Sequence, residues 1–196
     1  MVNRANTFFG GSGELSQGQG VIVYARWVLV AAAMGFALWL PAPLAQLRVQ
    51  AFLILLLAIG NFFLHAQVLR RRPAPDWVVY GASAADLVAI TALLWIQGGY
   101  PSELYIFYFP AVLAISVAFS TEHAAVYTIS AVSAYAVIGA LTAPFDAEVL
   151  TVVVRCLMIA AVAVCGNQYQ RIEGARLARL SAAGPGLARL EEEIKR

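Results

Sequence analysis

The chain has 196 residues, 61% of them hydrophobic and only 12% charged, with a formal net charge of +2. A soluble domain carries roughly 25% charged residues, so this chain cannot cover a water-facing surface, and its apolar content excludes disorder. The net charge is too small to argue for a nucleic-acid partner. What remains is an integral membrane protein whose partner is the lipid bilayer.

Residues 1–20 are polar and glycine-rich and read as a flexible cytoplasmic lead. A cleaved signal peptide fits poorly, because the apolar run that follows is about 20 residues rather than the 7–15 of a signal core. A bilayer core of about 30 Å needs about 20 apolar residues in a helix. Six runs meet that length, at 22–40, 49–69, 77–97, 104–120, 124–143 and 149–169. The separators are short and rich in proline and glycine, with Pro41 and Pro43 after the first run and Pro73 and Pro75 after the second. Gly98, Gly99 and Pro101 follow the third, and Pro144 the fifth, whereas only Thr121, Glu122 and His123 divide the fourth from the fifth. Such connections imply sequential antiparallel packing. The expected fold is an all-α integral membrane bundle of six transmembrane helices over 21–169, with a cytoplasmic juxtamembrane helix over 170–196.

Loop arginines set the orientation. One side receives Arg4, Arg26, Arg70, Arg71, Arg72 and the tail's Arg171, Arg176, Arg179, Arg189, Lys195 and Arg196. The other receives Arg48 with Glu103, Asp146 and Glu148, so both termini are expected in the cytoplasm. Trp27, Trp39, Trp77 and Trp95 lie near run ends, where amphipathic rings prefer the headgroup level. Arg26 and the Arg70–Arg72 triplet read as stop-transfer charges meeting anionic lipid.

In the tail, 170–183 continues the sixth run as a charged helix, and Gly184-Pro185-Gly186 is expected to interrupt it. Leu180, Leu187 and Ile194 repeat every seven residues with Leu190 at a d-like position, a short coiled-coil pattern, with an amphipathic juxtamembrane helix on the headgroups as the equal alternative. The charged pattern runs to Arg196 without a C-cap, which suits either a following cytoplasmic domain or a tail that frays.

Asp86 stands midway through the third run, where a carboxyl is costly unless protonated or paired. Depth nominates Arg155, six residues into the sixth run, as its partner, with Glu103 competing for the same arginine. Gly98, Gly99 and Pro101 form a tight outer turn, and Pro110 is expected to kink the helix beyond it. Ser102, Tyr105 and Tyr108 would then join the glycines around a shallow aromatic pocket suited to a lipophile such as a quinone head. Small residues four apart (Ser130 and Ala134, Ala136 and Ala140, Gly139 and Ala143) mark the fifth run as a closely packed helix.

Cys156 and Cys165 lie nine apart, on opposite faces of a helix, so no disulfide is expected. His65 and His123 both fall near the cytoplasmic face, where depth alone would allow a shared haem. Bonding to water or headgroups is the simpler expectation, and no metal site is foreseen. The only lysine, Lys195, lies outside the runs and excludes a retinal Schiff base.

An Asp in the third span followed by Gly98, Gly99 and, three residues on, Ser102 resembles the six-span sensor region of bacterial membrane histidine kinases. The RegB-type redox sensors are the nearest pattern. Their outer loop carries Gly-Gly-x-x-Asn-Pro-Phe, with Ser102, Glu103 and Leu104 here at the last three positions. The resemblance implies a sensory input module, ubiquinone as a ligand at the outer turn, and a homodimer passing a signal to a cytoplasmic output domain. The tail past residue 169 has no histidine, so this chain carries neither a phosphoacceptor nor catalytic residues of its own. The competing expectation is a small transporter or an accessory subunit of a membrane complex.

Overall fold

The computed structural model describes residues 12–39, 43–70, 74–143 and 149–194. Among them every regular element is helical: α1 (Ser12–Trp39), α2 (Leu44–Leu69), α3 (Asp76–Ile96), a 3-10 segment (Glu103–Phe107), α4 (Tyr108–Ala118), α5 (Thr121–Thr142) and α6 (Val149–Ile194). Five helices hold stretches long and apolar enough to cross a membrane, namely Ile22–Trp39, Leu44–Leu69, Asp76–Ile96, Thr121–Thr142 and Val149–Arg176. The chain is a multi-pass membrane protein.

Three elements depart from the sequence reading. Helix α1 starts at Ser12, inside the stretch taken as a flexible lead. The fourth run is split, because Pro110 lacks the N–H that would bond back to Ile106. The chain therefore begins this segment as a 3-10 turn over Glu103–Phe107, and Pro110 falls in the first turn of α4 rather than kinking a longer helix. Helix α6 runs unbroken through Gly184, Pro185 and Gly186 for 46 residues. The Leu180, Leu187, Leu190 and Ile194 side chains, and with them the heptad reading, lie outside what is described.

The end of α3 is built by its glycines. Gly98 and Gly99 have φ of 97° and 83°, the left-handed region that favours residues without Cβ. The Gly99 N–H donates to the Leu94 carbonyl at 3.0 Å and the Gly98 N–H to the Trp95 carbonyl at 3.2 Å, the paired bonds that close a helix C-terminus. Ser102 restarts the chain. Its Oγ accepts from the Leu104 N–H at 3.2 Å and donates to Gln97 Oε1 at 3.0 Å, locking the turn to α3.

Packing fixes the order of the helices. Helix α4 touches α1, α3, α5 and α6, and it buries Tyr108, Ala111, Val112, Ile115 and Ser116 around its circumference. Helix α2 packs on α1 and α3 and is inverted, with Gln50 and Asn61 turned inward while Phe52, Leu55, Ile59 and Phe62 face outward. Lipid is as apolar as leucine, so such a surface costs nothing there, and helices cohere through close packing and internal polar bonds.

Helices α3 and α5 run parallel. Near their N-terminal ends the Tyr127 hydroxyl donates to the Tyr80 carbonyl at 2.8 Å. At their C-terminal ends the Tyr100 N–H donates to Thr142 Oγ1 at 3.0 Å. The 3-10 segment and α4 carry the chain back between those ends. Helix α6 lies antiparallel to α5, with Gly139 set against Val152 and Thr121 bonded to Asn167 at 3.1 Å. The small-residue spacing of α5 thus serves an internal contact at Gly139, where a Cβ would meet Val152 Cγ1 at 2.5 Å. We call the end that holds Gly98–Ser102 the turn end, and the end past which α6 continues the exit end.

Candidate functional site

Two cationic centres lie inside the bundle. The first joins α1 to α3. Arg26 Nη2 stands 3.1 Å from Asp86 Oδ1, and the two side chains are 5% and 9% exposed. Helix α2 passes the guanidinium at Gly60, whose Cβ, if present, would stand 3.8 Å from Arg26 Nη2. One turn away, Asn61 Nδ2 donates to the Val23 carbonyl at 3.3 Å and ties α2 to α1. The pairing is incomplete, because Arg26 Nε and Nη1, Asn61 Oδ1 and Ser83 Oγ are buried without hydrogen-bond partners. A buried donor left unmade costs about 1–3 kcal/mol.

Asp86 therefore does not pair with Arg155. Depth was a sound guide to reach but not to azimuth: α6 packs on α4 and α5, whereas α1 packs on α3. Arg26 was read as a stop-transfer charge, although its place inside the apolar run 22–40, rather than in a separator, already signalled burial.

The second centre ties α6 to the turn end. Arg155 Nη1 donates to the Tyr100 carbonyl at 2.6 Å and to the Tyr135 hydroxyl at 3.2 Å. Its guanidinium carbon lies 4.0 Å from the centroid of the Tyr105 ring, a cation–π contact. Among the described residues no carboxylate comes within ion-pair distance of Arg155, and Glu103 is exposed at the start of the 3-10 segment. Behind Tyr135 stands the fully buried Tyr108, with ring centroids 6.3 Å apart. The Tyr108 hydroxyl shares a 2.6 Å hydrogen bond with Thr91 Oγ1 of α3. A continuous run of polar and aromatic contacts thus links α3, α4, α5 and α6.

The expected pocket residues are not gathered in one cavity. Gly99 fits against Thr142, leaving no room for a Cβ, while Gly98 faces open space. Ser102 is spent on capping, Tyr105 turns to Arg155, and Tyr108 turns into the core. A cavity of about 630 Å³ lies elsewhere, in a groove between α3 and α5, lined by Thr91, Ala131 and Ala134 together with Val88, Trp95 and Val126. Its volume is in the range of small-molecule sites. The trace in the sequence was the small face of α5 together with Ala84 and Ala92 on α3, residues too short to close the gap between parallel helices.

The histidines are apart. His65 packs edge-on against Trp27, with centroids 6.4 Å apart, whereas His123 stacks on Tyr80 at 4.9 Å and its Nδ1 lies 2.7 Å from Ser120 Oγ. They belong to the α1/α2 and α3/α5 seams. Among the described residues no group of three His, Cys, Asp or Glu side chains could hold a metal ion. Cys156 is half-buried and Cys165 exposed, both as free thiols.

These centres hold charge inside the bundle and tie its helices together. No family model matches the chain, and no curated protein and no solved structure matches it.

Proposed function

We propose that the chain is the membrane input module of a two-component-type receptor. It crosses a bacterial inner membrane six times with both termini in the cytoplasm, and it signals as a homodimer. The single observation that carries this reading is α6, whose 46 residues span about 69 Å at 1.5 Å per residue against a bilayer core of about 30 Å. One end of that helix is held at the turn end by Arg155, and the other continues well beyond a bilayer's thickness.

The count of six passes is supported by the return leg between α3 and α5. Five residues of 3-10 helix at about 2.0 Å each and eleven of α-helix at about 1.5 Å each cover roughly 26 Å, close to the bilayer core. The signal is a lipophile of the quinone class, seated in the α3/α5 groove within the membrane. A ligand that fits one spacing of α3 and α5 better than another shifts the populations of the two, and the Thr91–Tyr108–Tyr135–Arg155 contacts carry that shift to α6.

The test combines two readouts on protein in nanodiscs. Organic extraction and mass spectrometry is expected to recover a stoichiometric quinone from wild type and to lose it in Ala134→Trp, which fills the groove. Spin labels at position 181 in a background of Cys156→Ser and Cys165→Ser are expected to report paired tails whose separation changes when ubiquinone is added. Tails without a paired distance, or a distance indifferent to ubiquinone, would overturn the reading.

A further inference from the structure

The geometry points to a water file along the α1/α2/α3 seam that delivers protons from the turn end to Asp86. Two small cavities lie in line there. One, of about 20 Å³, is lined by Arg26 and Asp86, and the other, of about 10 Å³, by Gln50 and Gln97. Both share Ala33, Leu93 and Phe107 as walls, so a single aromatic ring at the end of the 3-10 segment stands at their junction. Volumes of this order are about the least that holds a water, and a buried water needs two or more polar partners.

Those partners are present. Arg26 Nε and Nη1 at one cavity and Gln50 Nε2 and Oε1 at the other are buried and unbonded, in side chains of residues 4% and 1% exposed. Four polar atoms left bare across two adjoining cavities are costly without occupants that both donate and accept. Water does both, and an ion does not fit a space this small together with its own shell. At the turn end, Gln97 Oε1 accepts from Ser102, and Gln46 Nε2 donates to the Ile96 carbonyl at 2.8 Å, which continues the polar lining toward the headgroups. On the exit side of Asp86 the chain offers Ser83 and Asn61, each with an unbonded oxygen.

The proton step is simple. A hydronium at the Gln50 cavity passes a proton, through water beside Phe107, to the Asp86 carboxylate; an O–H bond forms on Asp86 and neutral water remains. The pair then changes from zero net charge to +1 on Arg26. Other titratable groups toward Asp86 do not compete. Helix α1 presents Arg26; α2 presents Leu57 at the cavity, with His65 held against Trp27. The 3-10 segment presents Phe107, α4 turns Tyr108 to Thr91, and α5 turns Tyr127 to the Tyr80 carbonyl. With its counter-charge gone, Arg26 lies only four residues from Ile22, about 6 Å along α1, within reach of the exit-end headgroups for a snorkelling side chain. This inference does not depend on a quinone ligand or on an output domain.

The test is infrared difference spectroscopy on the full chain in oriented liposomes, with aspartate carboxyl carbons isotopically labelled in an Asp76→Asn, Asp146→Asn background, so that the one labelled acid band left is that of Asp86. Acidifying the turn-end side is expected to raise that band. Gln50→Leu should slow the rise severalfold, and Phe107→Leu, which opens the junction, should speed it. A band that follows acidification of the exit side alone, that never appears, or that keeps its rate in both variants overturns the water file.

Discussion

Arg26 and Arg155 enter the bundle from opposite ends, and the fold holds them by different means. Arg26 is sealed from its surroundings, and the fold places a carboxylate 3.1 Å away yet leaves two of its nitrogens bare. Arg155 stays half-buried and, among the described residues, has a backbone carbonyl, a phenol oxygen and a ring face rather than a carboxylate. Full removal from water demands a counter-charge, because the unpaired ion is too costly. Partial removal can be met by dipoles and a quadrupole. Among the described residues the first arrangement sets an acid against its arginine, whereas the second holds its arginine with neutral groups.

The largest test of that contrast is Asp86→Ala, expected to destabilise by about 3–5 kcal/mol because Arg26 stays buried alone. Reversible unfolding in mixed micelles would measure it, and the joint change of Arg26→Leu with Asp86→Leu should restore most of the loss. A single variant as stable as wild type would break the comparison. Gly99→Ala comes next at about 1–3 kcal/mol, since it strains a residue at φ 83° and drives a Cβ into Thr142. It also displaces the Tyr100 carbonyl that holds Arg155. Gly98→Ala is expected to cost about 1–2 kcal/mol, from backbone handedness alone, because it faces open space. Arg155→Lys should cost about 1 kcal/mol, as an ammonium lacks the flat fork that spans the Tyr100 carbonyl, Tyr135 and the Tyr105 face. Thermal unfolding followed by tyrosine fluorescence would read both changes. Thr91→Val sits last, near 0.6 kcal/mol, the typical worth of an interhelical hydrogen bond in a membrane protein. Its clearest sign would be a shift in Tyr108 ultraviolet resonance Raman bands.

Membrane character and the placing of five long helices were legible because lipid demands sustained apolar length, a one-dimensional property. The glycine turn was legible for a related reason, since Gly98 and Gly99 mark a backbone that other residues resist. Azimuth was not legible. A depth argument ranks Arg26 and Arg155 alike as partners for Asp86, and the choice is made by which helix lies beside α3. The parallel pairing of α3 and α5, and with it the groove, was hidden for the same reason: short loops fix neighbours in sequence, not the third helix that each touches. The split of the fourth apolar run was half-visible, in that Pro110 announced a disturbance but the reading put it mid-helix rather than at the junction of two helix types.

Helix α6 comes close to α4 at Gly166, where a Cβ would lie 2.8 Å from Ser116 Cβ. If that contact is a fulcrum, the arm back to Arg155 is eleven residues, about 16 Å, and the arm out to Ile194 is twenty-eight, about 42 Å. The ratio is roughly 2.5 to one, so an ångström of travel beside Arg155 emerges as more than two at the far tip. A bundle too tightly packed to move far within itself thereby gains mechanical amplification simply by not ending its last helix.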